Sequence, residues 1–546
     1  MKNPEIKATE TPANGDILDK IEAVLEKNRR IILGICILIT TLLCYLLFDA
    51  RMSFATDDAE YIKRANNFVL NGAYPSYQGS LYPLFLALLI KIAGFHVPMF
   101  KMFSSIVIIA SVFFFYKAFK GKVPYLVLFT VLIYLSINSY YLYFASQTFT
   151  EAFVLFIESI AFIFFLSHIS LLASKPSIGA SWKSWLLFGF FLFLLSITKN
   201  ILILGVGSAV LYFVIYTEWM NAVLAVVSFL IFKLPYELMT KYVFHVQPSA
   251  QFGQAQLKDF YHPELGNEDF PMGYIDRFFD NFNTFVSVQV FKVLGLRPEH
   301  EGIRAEDEAN VLLTLIFAAA IIFIFITLFR KNRLLVFSML YALIVWAFSF
   351  AALQTSWHDQ WRLVLPYTPY ILIAFLGAFW LRAKGAKQPV FKPLLVGLMI
   401  IFVIIQFPLT SEKVSANSRG LKHYIKGDMK YGVPDQYVDF VTVCDSIKQK
   451  VPPTSIIATG KPGEASVYSG FNNFQRIPMP TKDESADSVL AGLKKQGVTY
   501  LFMDGFSRQV ATSIQIIQKQ YPNKLVPVLQ SGPDPEHSVY LIQVKY

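Results

Sequence analysis

The chain has 546 residues, 55% of them apolar and 16% aromatic, with a mean hydropathy of +0.47. That balance excludes a single water-soluble core and fits a polytopic membrane protein whose apolar side chains are solvated largely by lipid. The formal net charge of +10 sits mainly in short clusters between apolar runs, which points to membrane orientation and away from nucleic acid, since no basic stripe with interleaved aromatics occurs.

The N-terminus carries Glu5, Glu10 and Asp16 ahead of the first apolar run at Ile31, too long and too acidic for a cleaved signal peptide, so the first span is expected to stay as an anchor. Apolar runs able to cross, or nearly cross, a bilayer lie at 31–48, 98–118, 123–139, 148–173, 184–198, 200–216, 220–238, 309–329, 334–353, 364–381 and 393–410. With about eleven spans, every basic cluster falls on one side: Lys27, Arg29 and Arg30; Lys117, Lys120 and Lys122; Lys175 and Lys183; Arg330, Lys331 and Arg333; Arg382, Lys384, Lys387 and Lys392. The positive-inside rule makes that side cytoplasmic. The segments 49–97 and 239–308, short turns near 139–147, at 198–200 and at 354–363, and everything after about 411 are then external. The run 81–95 is apolar, but Pro83, Lys91 and Gly94 suit a helix lying on the membrane surface, and a crossing there would invert every later loop.

After Pro408 the pattern changes. Helical periodicity near 434–450, 483–496 and 508–521 alternates with strand-like runs at 455–459, 498–504, 524–529 and 538–546, which predicts a small α/β domain. The expected division is a cytoplasmic segment 1–30, a membrane domain 31–410 and an external domain 411–546. Cys36, Cys44 and Cys444 are the only cysteines, which leaves no disulfide framework or zinc cluster.

The residues that could carry chemistry gather at the predicted external ends of spans. Asp57-Asp58-Ala59-Glu60-Tyr61 begins about nine residues beyond span one, where a carboxylate pair either opens a short helix, as the Tyr61, Ala65 and Phe68 spacing suggests, or has a task beside the bilayer. Gly72-Ala73-Tyr74-Pro75 and Leu81-Tyr82-Pro83-Leu84 follow. Glu151, at the mouth of span four, either starts a helix with Thr148 or Thr150 or faces a site. Glu158, two turns deeper, has no assigned role. Lys199, in the turn between two spans, either snorkels or binds an anion. In Trp357-His358-Asp359-Gln360-Trp361-Arg362, the planar fork of Arg362 suits a phosphate, while a charge marking the membrane edge is the alternative. His358 with Asp359 is a weak metal signature. No glycine-rich phosphate loop of the ATP or dinucleotide type occurs, and the turn at 458–463 reads as an ordinary strand-to-helix loop.

The pattern Asp57-Asp58-x-x-Tyr61, then Ala65, Gly72, Tyr74, Tyr82-Pro83-Leu84, Lys91 and Gly94, resembles the first external loop of the GT-C membrane glycosyltransferases, in particular the branch of protein O-mannosyltransferases and lipid A aminoarabinose transferases. The resemblance implies that Asp57 is the essential carboxylate and that Asp58, where the family often has glutamate, is a shorter partner. It implies that Glu151 is a second acid facing the site and that Tyr61 and Tyr82 line it. Thr198-Lys199 and Arg362-x-x-x-Pro366 are similar to family elements, which implies contact with the phosphate of a lipid-linked donor; His358, read from its own position beside Asp359, is a candidate to assist substrate binding. The expected partners are a polyprenyl-phosphate sugar, an envelope glycolipid, glycan or protein acceptor, and membrane lipid. No cofactor is certain, and a divalent metal between Asp57 and Glu151 is left open.

The geography agrees with that chemistry. An external site has no nucleotide sugar, so the donor must arrive on a lipid in the plasma (inner) membrane. A transporter or flippase is the competing reading; it would place charges at the midplane, near broken helices and repeated halves, whereas the charges here gather at one rim and no repeat is visible.

Overall fold

The computed structural model describes residues 16–53, 57–174, 182–246, 253, 255–259, 265–298, 305–354, 361–470, 473–481, 484–532 and 539–546. An amphipathic helix α1 (Ile17–Lys27) leads into α2 (Arg29–Leu46), and two helices outside the long apolar set follow, α3 (Asp57–Asn71) and α4 (Leu81–Ala93). The bundle continues with α5 (Val97–Phe119), α6 (Tyr125–Ile137), α7 (Ser139–Tyr143), α8 (Thr150–Ser174), α9 (Trp182–Thr198), α10 (Leu204–Ile215) and α11 (Trp219–Tyr242). After it come α12 (Met272–Thr284), α13 (Val290–Val293), α14 (Val311–Phe329), α15 (Arg333–Ala352), α16 (Thr368–Gly385), α17 (Phe391–Ile404) and α18 (Gln406–Asn417).

Among the described residues, eight helical stretches are long and apolar enough to cross a membrane, and α6 with α7 forms a ninth that is bent by 45°. The predicted spans at 184–198 and 200–216 appear as the shorter apolar helices Trp182–Thr198 and Asn200–Ile215. The break after α6 has a definite cause. Asn138 has an extended backbone, its Oδ1 accepts from the Tyr140 and Tyr141 amides, and its Nδ2 donates to Val293 O and Gln406 Oε1 at 2.8 and 2.9 Å. The side chain thus caps the new helix and ties the bend to two other elements. At the other end of α6, the Glu22 carboxylate of α1 accepts from the Tyr125 and Leu126 amides at 2.7 and 2.9 Å, satisfying donors that have no partner within the helix.

Lipid offers little hydrophobic drive for helix association, so close backbone approach matters. At Gly189 on α9, a Cβ would lie 2.2 Å from the Ser228 carbonyl of α11, an approach that only glycine permits. Aromatic rings fill much of the remaining interior, for example Phe162 stacked on Tyr370 at 4.1 Å between α8 and α16.

Beyond a short helix α19 (Leu421–Ile425), the chain forms α20 (Asp435–Lys450), β1 (Ile456–Ala458), α21 (Pro462–Ser469), β2 (Phe474–Gln475), α22 (Ala486–Lys495), β3 (Val498–Met503), α23 (Arg508–Gln520), β4 (Leu525–Ser531) and β5 (Val539–Val544). The sheet order is β2-β1-β3-β5-β4, with β1 parallel to β2 and β3 and the other pairs antiparallel. One face packs Phe440, Cys444 and Ile447 of α20 on Ile457, Phe502 and Leu541; the other packs Leu490 and Leu493 of α22 and Ile514 and Ile517 of α23 on Leu501 and Ile542. At the carboxyl ends of β1 and β3, Asp504 joins the two loops by accepting from Thr459 Oγ1 at 2.6 Å and the Gly460 amide at 2.9 Å. That junction aims α21 at α3. A Cβ on Gly463 would lie 2.9 Å from the Glu60 amide nitrogen, and Lys63 Nζ of α3 donates to Phe474 O of β2 at 3.0 Å.

Candidate active site

Four chain segments deliver charged groups to one region: the start of α3, the start of α8, the turn after α9 and the turn at Trp361–Leu363. Asp57 opens α3, where acids favour the positive end of the helix dipole. Arg362 Nη2 donates to Asp57 Oδ2 at 2.6 Å, with exposures of 18% and 24%, and its guanidinium lies 5.2 Å from the centre of the Phe149 ring. Glu151, in the first turn of α8, is buried at 3% exposure and receives Lys199 Nζ at 3.1 Å on Oε1, while its Oε2 has no hydrogen-bond partner among the described residues. The contact of Arg362 with Phe149, two residues before Glu151, puts the two pairs in one neighbourhood.

Tyr61, one turn after Asp57, is buried and meets Tyr82 edge-on at 5.5 Å. Burial pushes the Tyr61 phenol above its usual range, and the Asp57 and Glu151 carboxylates push it further, so it stays a neutral donor. Tyr82 continues the aromatic floor onto Phe153 of α8 at 5.4 Å. The structure therefore brings together Asp57, Tyr61, Tyr82, Glu151, Lys199 and Arg362. His358, together with Asp359, lies outside the described residues.

Asp58 points elsewhere. Its side chain is fully buried and accepts from the Ser53 and Ala59 amides, each at 2.8 Å, while Thr148 Oγ1 donates to its carbonyl at 3.2 Å. Burial pushes the carboxyl above its usual range, opposed by the nearby Lys101 and by those amides. Lys101 is itself fully buried and donates to Ser146 O at 2.8 Å and Gln147 Oε1 at 3.3 Å. The Asp58–Lys101 region thus clamps the start of α3 against the segment before α8. Sequence reasoning passed over Lys101, although a lysine inside a predicted span was the signal that could have found it.

Two more residues were missed. Arg64 spans the first loop, donating to Tyr77 O at 3.1 Å and lying over the Tyr61 and Tyr77 rings at 5.4 and 4.7 Å. Gly79, at φ +109°, presses on the turn that carries Lys199; a Cβ there would lie 2.4 Å from Thr198 O. Glu158 is buried in α8 and accepts from the Tyr341 hydroxyl at 2.7 Å. Among the described residues no group of three or more His, Cys, Asp or Glu side chains converges as a metal site.

A cavity of about 740 Å³ borders the Lys199 turn. It is lined by Ser80 of the first loop, Ser196 and Asn200 on either side of Lys199, and Lys233, Tyr236 and Lys241 of α11. The same helix presents Leu230, Ile231, Leu234 and Leu238 outward, a face suited to lipid.

No protein-family model matches the chain, and no curated protein matches it in sequence. Solved structures do. ArnT from Cupriavidus metallidurans bound to undecaprenyl phosphate is similar over 93% of this chain and 97% of its own, with a TM-score of 0.52 at 12% identity, and its apo state gives 0.51 at 11%. The archaeal oligosaccharyltransferase AglB from Archaeoglobus fulgidus, in complex with an inhibitory peptide and a dolichol-phosphate, is similar over 94% of this chain and 74% of its own, with a TM-score of 0.51 at 10% identity. The fold is that of the GT-C membrane glycosyltransferases.

Proposed function

We propose that the chain is an integral-membrane glycosyltransferase that moves a sugar from a polyprenyl-phosphate donor to an acceptor hydroxyl on the external face of the plasma membrane, with inversion at the anomeric carbon. The observation that carries this reading is the pairing of Asp57 with Arg362 and of Glu151 with Lys199 at one rim, on a fold whose solved representatives include ArnT with undecaprenyl phosphate bound. Two carboxylates and two cations held in exchangeable pairs form a site in which an incoming phosphate competes for the cations and releases a carboxylate to act as base.

In this scheme the donor phosphate draws Lys199 and Arg362 by charge-assisted hydrogen bonds. The cavity beside Lys199 gives the phosphate and first isoprene units a path from the lipid-facing side of α11. The acceptor oxygen attacks the anomeric carbon and its proton passes to Asp57. The bond from that carbon to the phosphate oxygen breaks with its electron pair on the departing lipid phosphate, where the two cations stabilise the charge. Tyr61 donates a hydrogen bond to substrate, Tyr82 supports Tyr61, and Asp58 holds the α3 N-terminus in place. The membrane bundle, with the N-terminus cytoplasmic and the 411–546 domain external, performs the reaction.

Incubating the purified protein with radiolabelled polyprenyl-phosphate sugars and envelope extracts tests the reading. A labelled glycolipid, glycan or protein product is expected. Movement of the intact labelled lipid between leaflets of a vesicle, with no product formed, would establish the flippase instead.

A further inference from the structure

A second cavity, of about 380 Å³, is lined by residues close in sequence to those of the candidate active site. Three of its walls are the stretches running directly into the site residues: Asp49 and Arg51 precede Asp57, Ser146 and Gln147 precede Glu151, and Trp361 precedes Arg362. The fourth wall comes from α18 and the segment after it, through Lys413, Asn417 and Arg419. Asn417 Nδ2 fixes that wall by donating to Leu46 O and Phe48 O at 2.9 and 3.0 Å.

The lining has a definite chemistry. Among the described residues of the lining, Arg51, Lys413 and Arg419 are cationic and Asp49 is the one carboxylate. Arg51 is already oriented, its Nη2 2.8 Å from Asp49 Oδ2, its Nη1 donating to Gly432 O at 2.7 Å and its guanidinium 4.9 Å from the centre of the Tyr424 ring. A guanidinium held on two sides loses little freedom when it binds an anion. Rings line the rest: Tyr140 and Tyr143 meet Trp361 edge-on at 4.8 and 5.9 Å, with Tyr424 and Tyr431 across the cavity. Aromatic surface covers the C–H face of a sugar ring, and a few placed polar groups fix its orientation.

We infer that this cavity holds the acceptor and takes an acidic saccharide, a sugar ring carrying a carboxylate or phosphate. The inference rests on the transferase reading for the word acceptor. Its volume is at the small end of ligand sites, which suits one or two sugar rings and not a folded polypeptide. The donor is assigned to the cavity bordering the Lys199 turn and the acceptor to the cavity lined by Trp361, the residue before Arg362. The ring could belong to a glycolipid headgroup or to a free glycan; both present the same chemistry to these residues.

The test is binding without turnover. Tryptophan fluorescence and isothermal titration of the full chain in detergent would compare glucuronic acid and N-acetylglucosamine 1-phosphate with glucose and inorganic phosphate. Nanodiscs containing phosphatidylglycerol would serve as competitor. The acidic sugars are expected to bind at least ~10-fold tighter than glucose, because a charge-assisted hydrogen bond contributes at least that factor. Lys413→Ala with Arg419→Ala is expected to lose ~10-fold or more while Lys519→Ala changes nothing. Arg419→Glu alone, at an exposed position, is expected to weaken binding without lowering the melting temperature. Glucose binding as tightly as the acidic sugars overturns the inference, as does inorganic phosphate binding as tightly as the sugar phosphate, or displacement of the sugar by phosphatidylglycerol. A chain that binds acidic sugars but transfers nothing would sink the transferase reading alone. One that transfers sugar but binds no acidic saccharide would sink this inference alone. A labelled glycolipid product whose formation N-acetylglucosamine 1-phosphate inhibits would place the ring on a lipid.

Discussion

Replacing Gly463 tests whether the sheet-bearing C-terminal region positions the site. Gly463 lies in the first turn of α21, and a Cβ there would stand 2.9 Å from the Glu60 amide nitrogen and 3.1 Å from Ala59 C and Glu60 Cγ. Contacts that short force α21 and α3 apart by several tenths of an ångström for alanine and by more for valine. Glu60 is three residues from Asp57 on α3, so the shift reaches the carboxylate through one helical turn. Overpacking of this kind costs about 1–3 kcal/mol in stability. A displacement on the order of 1 Å at reacting groups can lower a rate by ~10²-fold. The expected outcome is a several-fold fall in kcat for Gly463→Ala and a fall approaching ~10²-fold for Gly463→Val, with the donor KM little changed because Lys199 and Arg362 stay in place. Steady-state transfer assays on protein of unchanged gel-filtration profile would measure it. A Gly463→Val protein that folds and turns over at the wild-type rate would refute the coupling of α21 to Asp57.

Other perturbations follow from the same contacts. Lys199→Ala leaves the nearly buried Glu151 without its cation and is expected to lower thermal stability by a few kcal/mol, on the order of 3 kcal/mol for a buried pair broken on one side. Pairing Lys199→Gln with Glu151→Gln should restore the melting temperature but not transfer. Asp58→Asn turns an amide donor toward the Ser53 or Ala59 N–H and removes the counter-charge of Lys101, so melting should fall by the equivalent of about 1–3 kcal/mol. Gly189→Leu drives α9 from the Ser228 backbone of α11 and should abolish monodisperse expression, whereas Gly34→Leu, in open space on α2, should express normally.

Much of the architecture was legible because burial in lipid leaves unbroken apolar runs: 98–118 became Val97–Phe119 and 309–329 became Val311–Phe329. The C-terminal helices and strands were equally readable, since periods of 3.6 and 2 alternate there, with Asp435–Lys450 and Val498–Met503 close to their expected limits. The amphipathic helices Ile17–Lys27 and Met272–Thr284 were missed because their polar faces dilute hydropathy below that of a span. The helix Pro462–Ser469 and the strand Phe474–Gln475 were too short to register.

At the site, residue types were visible but their partners were not. Lys199 and Arg362 were expected to face one anion, yet Glu151 and Asp57 hold them, the latter pair 305 residues apart in sequence. Nothing local encodes such a pairing; only the packing of α3, α8, the turn after α9 and the turn at Trp361–Leu363 creates it. Asp58 and Asp57 look alike in sequence and differ because successive helical residues point about 100° apart, which sends Asp58 inward to backbone amides and leaves Asp57 facing Arg362.

The most direct test of the central claim is single-turnover transfer by wild-type and Asp57→Asn protein, with binding of the labelled polyprenyl-phosphate sugar measured in parallel. The nearly isosteric amide cannot take the acceptor proton, so transfer is expected to fall by ~10²–10⁴-fold while the donor still binds within a few-fold of wild type. Wild-type transfer by the Asp57→Asn protein would contradict the account, because the base on which the proposed chemistry depends would be absent and the reaction unaffected.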